Sequence, residues 1–324
     1  MRKMKKLILS LIALVATVAA EAQQIAVVQS NGSTSIHALL VDAIEVAGNG
    51  SVIYLPGGNF SISDEVKITK CLTIIGIGHC SDKDNVDGKT TICGHLFFNE
   101  GSSGSAVMGC HITGTVCIGH DDAAVNNVLV RYCYAENIDS HSNSLVTVVN
   151  QCYLRMASQI RGEGSIINNN IINTLQYCNS AEIFNNIIIS RYGRALYEVN
   201  NSHICKNIIR NVYGDLGGGS NNFINRNMCD GNWGENCVNL IDGTTWDDVF
   251  VDYNDGWGEG AVDTSNDFHF TEAYQQYSDI GIYGGTSFND HQKAPVPYII
   301  AKRIAEQTDA AGQLKIQVRV KASE

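Results

Sequence analysis

"GSIINNNIIN", residues 164–173, sets three asparagines between two pairs of isoleucines. Isoleucine is β-branched and packs well on a pleated surface, whereas asparagine favours turns. The same juxtaposition recurs downstream as EIFNNIII (182–189), HICKNIIR (203–210) and NFINRNMC (222–229). Upstream it appears as AVMGCHIT (106–113), VLVRYCYA (128–135) and TVVNQCYL (147–154). One template covers all seven: a β-branched residue, two variable residues, Asn or Cys, one variable residue, then usually an apolar residue.

The fourth template position holds Cys110, Cys133, Cys152, Asn170, Asn186, Asn207 and Asn227, with successive gaps of 23, 19, 18, 16, 21 and 20 residues. Spacing that varies around one value excludes a coiled coil and fixed-length helical repeats. It suits a solenoid whose turns are strand, corner, strand, with other corners of differing length. The first column (Val107, Val130, Val149, Ile167, Ile183, Ile204, Ile224) and the sixth (Ile112, Ala135, Leu154, Ile172, Ile188, Ile209, Cys229) are apolar throughout. Two strands therefore flank a corner turned in one residue, which calls for a left-handed backbone. Asn tolerates that conformation better than other non-glycine residues, so the fourth position is expected to adopt it. Coils stacked at about 4.8 Å would let the asparagine amides bond to one another along the axis. The three cysteines read as a continuation of this buried column rather than as disulfides.

The segment STSIHALLVDAIEVAGNG (33–50) has a Ser/Thr start, apolar residues at 36, 39, 40 and 43 and a glycine stop, so it reads as an amphipathic capping helix. A solenoid end exposes a cross-section of core, which needs such a cap. SVIYLPGGNFSI (51–62) reads as strand, Pro-Gly turn, strand, and VKITKCLTIIGIG (66–78) as another coil. QLKIQVRVKA (313–322) alternates as a one-sided strand that YIIAKRIA (298–305) can pair with, which makes 291–324 a small C-terminal β addition.

The run from the capping helix through VIYLPGGNFSI to CLTIIGIG and the Asn-rich coils resembles the right-handed parallel β-helix of the pectin-lyase-like superfamily. YSDIGIYGG (277–285), followed by PVP (295–297), resembles the closing segment of secreted bacterial members. The resemblance covers roughly residues 34–290. It implies an all-β right-handed parallel β-helix spanning 23–290, and it leaves the activity open, since that coil hosts lyases, hydrolases, esterases and inert adhesins.

The first residues point to export. Arg2, Lys3, Lys5 and Lys6 precede the apolar run LILSLIALVATVAA (7–20) and a small-x-small site at Ala20-Glu21-Ala22, the pattern of a signal peptide over 1–22. The run is shorter than the roughly 20 residues that span a bilayer. An exported protein, extracellular, periplasmic or at the cell surface, is expected, with no membrane insertion after cleavage. Without residues 1–22, which carry four basic residues and Glu21, the net charge moves from −11 to −14. That charge argues against nucleic acid as a partner. Among the eleven cysteines no CxxC occurs, and nothing matches zinc-ligand spacing.

Site candidates follow from scarcity. Basic residues are few, yet YLRMASQIRGEG (153–164) and SRYGRALYEVNN (190–201) carry Arg155, Arg161, Arg191 and Arg194 together with Glu163, Tyr192 and Tyr197. Arg210 shares Arg155's offset from the ladder. Tyr and Arg suit sugar rings, one stacking and the other binding oxygens. Polysaccharide is the expected partner, with the four arginines as candidate groups for a polysaccharide lyase and Tyr192, Tyr197, Glu163 and Arg210 as substrate contacts. Hydrolase chemistry has less support: β-helix polygalacturonases share several motifs, of which only a paired aspartate, Asp121-Asp122 in GHDD (119–122), stands here. The acidic stretch WDDVFVDYNDGWGEGAVD (246–263) offers Asp252, Asn254, Asp255 and Glu259 as oxygen ligands for Ca²⁺, without the EF-hand spacing, and Trp246 and Trp257 as stacking platforms. The alternative expectation is a non-catalytic surface, adhesion or structural rod.

Overall fold

The computed structural model describes residues 24–63, 66–80, 88–190, 194–211, 217–229, 235–239, 245–253, 266–286, 288–289, 298–304 and 316–321. The expected signal peptide lies outside them. The chain forms a parallel β-solenoid of about eight turns. One sheet stacks Ser51–Tyr54, Leu72–Ile75, Ala106–Met108, Val128–Arg131, Thr147–Asn150, Arg161–Asn168, Asn179–Phe184, His203–Cys205 and Phe223–Asn225 in parallel. A second follows the corner, through His111–Ile118, Tyr134–Ser140, Tyr153–Ser158, Ile171–Gln176, Ile187–Ser190, Ile208–Asn211 and Met228–Cys229. The register is that of the template: Val130 pairs with Val149, Val149 with Ile167 and Ile167 with Ile183.

Between Val107 and Ile204 every first-column residue is fully buried, and every sixth-column residue is too, from Ile112 to Cys229. Each such isoleucine contributes about 1.5–3 kcal/mol by leaving water. The asparagine column is also fully buried at Asn170, Asn186, Asn207 and Asn227. Its amides bond in series, with Nδ2 donating to the next Oδ1 at 3.0, 2.9 and 3.1 Å. Each Oδ1 also accepts the backbone N–H of the preceding member, at 3.0, 2.9 and 2.9 Å. Cys152 joins the file by donating its N–H to Asn170 Oδ1 at 2.8 Å. The eleven cysteines are free, and in this file Cys152 and Cys133 turn their thiols to the Val130 and Val107 carbonyls at 3.6 Å.

The left-handed residue is not the ladder member. It is the residue before it: Gly109, Tyr132, Gln151, Asn169, Asn185, Lys206 and Arg226, with φ between 52 and 65°. The ladder position is reserved for its side chain, which bonds inward. The corner residue points outward, so its type is free to vary. The three asparagines of the opening stretch thus have three tasks. Asn168 ends a strand and accepts from Asn150 Nδ2 at 3.0 Å, Asn169 turns the corner, and Asn170 joins the ladder.

The outward corner column holds the returning C-terminal chain. Asn169 Nδ2 donates to the carbonyls of Ile282, Gly284 and Thr286 at 2.7, 3.3 and 2.9 Å. Asn185 Nδ2 reaches the Asp279 and Gly281 carbonyls at 2.8 and 3.1 Å, and Gln151 Oε1 accepts from Asn289 N at 2.7 Å. This strap runs along the axis against the direction of winding. Beside it a second core forms outside the solenoid, where Ile171, Ile187, Ile208 and Met228 face Trp246, Phe250, Phe268, Phe270, Ile280 and Phe288.

Arg226 clamps the strap with paired bonds to Asp279 at 2.9 and 2.8 Å, joined by Lys206 at 3.3 Å. The Arg226 hydrogen bond, then those from Lys206 and the two positive charges, hold the Asp279 carboxyl below its ordinary value. A folded pKa below the unfolded one gives stability that is complete above the unfolded value and lost as pH falls through the folded one. The wild type should therefore melt above Asp279→Asn at neutral pH, and the gap should close below about pH 4. A gap constant across that range in thermal melts would contradict the clamp.

The N-terminal cap differs from expectation. Thr34–His37 is a strand, paired antiparallel to Ile25–Val28, and only Leu40–Val46 is helical. Ile36 and Leu39, expected on the buried stripe, are 55% and 60% exposed. Pairing satisfies the edge amides of Ile25–Val28, which a helix over 34–37 would leave open. Leu40, Ala43 and Ile44 are the helix's buried face, and Lys70 Nζ binds its terminal carbonyls at Ile44 and Glu45 (3.0 and 2.8 Å). Strands Ser51–Tyr54 and Gly58–Ser61 flank the Pro-Gly turn, and Tyr298–Ile304 pairs antiparallel with Ile316–Lys321, both as the sequence implies. No helix among the described residues is long and apolar enough to cross a membrane.

Candidate functional site

A second corner repeats the logic of the first. Gln159, Tyr177 and Glu198 are left-handed, with φ of 57, 56 and 52°. Each precedes a fully buried apolar residue (Ile160, Cys178, Val199) and then a polar one (Arg161, Asn179, Asn200). Coil stacking aligns them, since Arg161 pairs with Asn179 and Asn179 bridges to Asn200. The outward side chains bound a cleft of about 310 Å³ lined by Arg161, Tyr177, Cys178, Asn179, Tyr197, Glu198 and Asn200.

Two phenol rings form one wall. Tyr177 and Tyr197 meet edge to face, 5.3 Å between centroids and 80° between planes. The Arg194 guanidinium lies 5.8 Å from the Tyr197 ring centroid. Partial desolvation, then the neighbouring Tyr197 hydroxyl, raises the Tyr177 pKa. Arg161 Nη2 donates to Gln159 Oε1 at 3.5 Å, while its buried Nε has no hydrogen-bond partner. An unsatisfied buried donor costs about 1–3 kcal/mol. The cleft therefore presents ring edges and faces, guanidinium and amide donors, and one carboxylate.

Of the expected site residues, the structure brings Arg161 and Tyr197 together in the cleft and sets Arg194 against the Tyr197 ring. Glu163 is exposed two residues along the same strand. Arg155 and Arg210 stand elsewhere, on one column three rungs apart, as the register of Leu154, Ile172, Ile188 and Ile209 requires. Arg155 is held by Glu136 at 2.5 Å and Asn137 at 2.8 Å. Arg210 is capped by the Trp246 and Tyr253 rings at 5.4 and 5.7 Å, and donates to Tyr253 Oη at 3.0 Å. Trp246 is 3% exposed in the second core, so it is no stacking platform. Asp252 is exposed on a short strand. Arg191, Tyr192, Asn254, Asp255, Trp257 and Glu259 lie outside the described residues. Asp121 and Asp122 occupy an exposed turn, and Lys67 and Asn99 bind Asp121.

Tyr177, Asn179, Glu198 and Asn200 escaped the sequence reading. Their signal was a second recurring triplet, Gln-Ile-Arg, Tyr-Cys-Asn and Glu-Val-Asn (159–161, 177–179, 198–200), in step with the ladder. No family model, curated protein or solved structure matches this chain.

Proposed function

We propose that the chain is an exported β-helix protein of the pectin-lyase-like kind that binds extracellular polysaccharide at the Tyr177–Tyr197 cleft. The observation that carries the reading is the convergence there of two tyrosine rings with Arg161, Asn179 and Asn200, with Arg194 against the Tyr197 ring. Aromatic faces cover the apolar side of a pyranose, and guanidinium and amide donors meet its hydroxyls or carboxylate. Export rests on the basic and apolar pattern of residues 1–22.

Binding carries the proposal, and any lyase chemistry would fall to Arg161 and Arg194. Elimination from a uronate needs a free cation against the carboxylate and a base at the α-carbon. Arg155 is already neutralised by Glu136, and Arg210 lies under aromatic rings.

A polysaccharide panel, with and without Ca²⁺, tests this by affinity electrophoresis together with ultraviolet detection of unsaturated product. At least one polymer should be retained, and Tyr177→Ala/Tyr197→Ala should weaken retention tenfold or more with the circular dichroism spectrum intact. Retention unchanged in that variant would remove the cleft from the site. Unsaturated product would make the protein a lyase.

A further inference from the structure

A second polar cluster lies on the same outer column as Tyr197, four rungs away. The register runs Cys117, Asp139, Ser158, Gln176, Tyr197, which places the cluster ~19 Å along the axis at the usual strand spacing. It owes nothing to the cleft or to the polysaccharide reading.

Strand His111–Ile118 sends Val116 and Ile118 into the solenoid core, so Cys117 between them points outward. It is nevertheless only 6% exposed. The next residues fold back as a tight turn, with Gly119, Asp121 and Asp122 all left-handed. A Cβ at Gly119 would come within 2.2 Å of Ser144 Oγ and 2.6 Å of the Ala123 carbonyl, so this turn requires glycine. Asn143 Nδ2 pins the turn by donating to the Asp122 carbonyl at 2.8 Å, and His141 N donates to the Ile118 carbonyl at 2.8 Å. The result sets two histidines from successive coils over one cysteine.

His120 Nδ1 is 3.8 Å from Cys117 Sγ, and the ligand atoms of Cys117, His120 and His141 all lie within 4.8 Å of one another. A tetrahedral zinc ion sets sulfur and nitrogen ligands about 3.4–3.6 Å apart. Side-chain rotations that bring the atoms closer by up to about 1.4 Å close that difference. The other face of His120 supplies an independent sign: its Nε2 is 3.3 Å from Asp121 Oδ1, while Lys67 and Asn99 fix that carboxylate. That carboxylate puts negative charge beside the three ligand atoms, which favours a cation there. Asp122 Oδ1 stands 3.9 Å from His141 Nδ1, and Asp139 is the rung neighbour of Cys117.

We propose that Cys117, His120 and His141 form a binding site for a divalent transition metal of the zinc class, with an adjacent aspartate or water as fourth ligand. One thiolate and two imidazoles suit zinc or cobalt and disfavour calcium and magnesium, which take oxygen. A cysteine–histidine nucleophile is the competing use of the same atoms. It fits poorly, because the Cys117 side chain is only 6% exposed, out of reach of a substrate. Metal binding exchanges the thiol proton for the cation: the S–H bond breaks, the S–metal bond forms and the proton leaves to solvent. The site has no paired cysteines to mark it in the sequence. Cys117-x2-His120 is visible in the chain, but only stacking brings His141 to it.

The test is titration of the reduced, full-length folded protein with Co²⁺, then displacement by Zn²⁺. One equivalent should bind, with a thiolate-to-cobalt charge-transfer band in the near ultraviolet and visible bands of tetrahedral intensity. Cys117→Ser should lose the charge-transfer band, and the partly exposed His141→Gln should lower the affinity tenfold or more. His203→Gln, at a histidine outside the cluster, should change neither. Absence of the band in the folded wild type, or its persistence in Cys117→Ser, would overturn the assignment.

Discussion

Asn186→Ala should lower the unfolding free energy by about 3–5 kcal/mol, measured by urea denaturation followed in the far ultraviolet. The figure follows from what the amide holds. Its two Nδ2 hydrogens are shared among the Ile167 carbonyl, the Phe184 carbonyl and Asn207 Oδ1 at 2.8, 3.1 and 2.9 Å. Its Oδ1 accepts both the backbone N–H and the Nδ2 of Asn170, each at 3.0 Å. Alanine strands several of these groups in a place water does not reach, at about 1–3 kcal/mol for each one left unpaired. Asn227, the last of the file, donates to the Ile204 carbonyl at 2.8 Å and has no further asparagine beyond it among the described residues. Asn227→Ala should therefore cost less. A loss below about 1 kcal/mol at position 186 would mean that the ladder is not a major source of stability.

Phe250→Ala should cost a similar amount, about 3–5 kcal/mol, but locally. Phe250 is 1% exposed and sits among Trp246, Phe268 and Phe270 at ring separations of 5.5, 5.3 and 5.8 Å. These rings belong to the outer core and share no residue with the core inside the solenoid. Loosening them should bare Ile171, Ile187, Ile208 and Met228 while the coils stay wound. Expected readouts are new binding of a hydrophobic dye and loss of near-ultraviolet dichroism, with the far-ultraviolet spectrum retained. Simultaneous loss of both spectra would show that the outer layer and the solenoid stand or fall together.

The solenoid was legible because its physics is periodic. A β-branched column, a ladder column and an apolar column recur at one spacing, and stacking converts that recurrence directly into contacts. The corner was misassigned for a definite reason. Asn fills both the corner and the ladder at 169–170 and 185–186, so residue preference alone cannot separate the roles. Tyr132, Gln151, Lys206 and Arg226 take the left-handed conformation against their own preference, held there by hydrogen bonds from neighbouring coils. The fifth template position looked variable, yet Ile171, Ile187, Ile208 and Met228 are apolar because a segment far along the chain returns to cover them. Clustering of scarce arginines found Arg161 and Arg194. It also selected Arg155 and Arg210, which are taken up by Glu136 and by the Trp246 and Tyr253 rings, and it passed over Tyr177, which carries no charge to notice.

The returning strap changes how the molecule comes apart. In a stacked repeat each coil touches only its neighbours, so end coils can fray singly. Residues 279–289 bind corner residues on five successive coils, from Arg226 back to Gln151. Opening any one of those coils disturbs bonds shared with the others, which welds the later half into a single cooperative block. Amide exchange should accordingly report one common opening free energy across 151–229 and a graded series across 51–131.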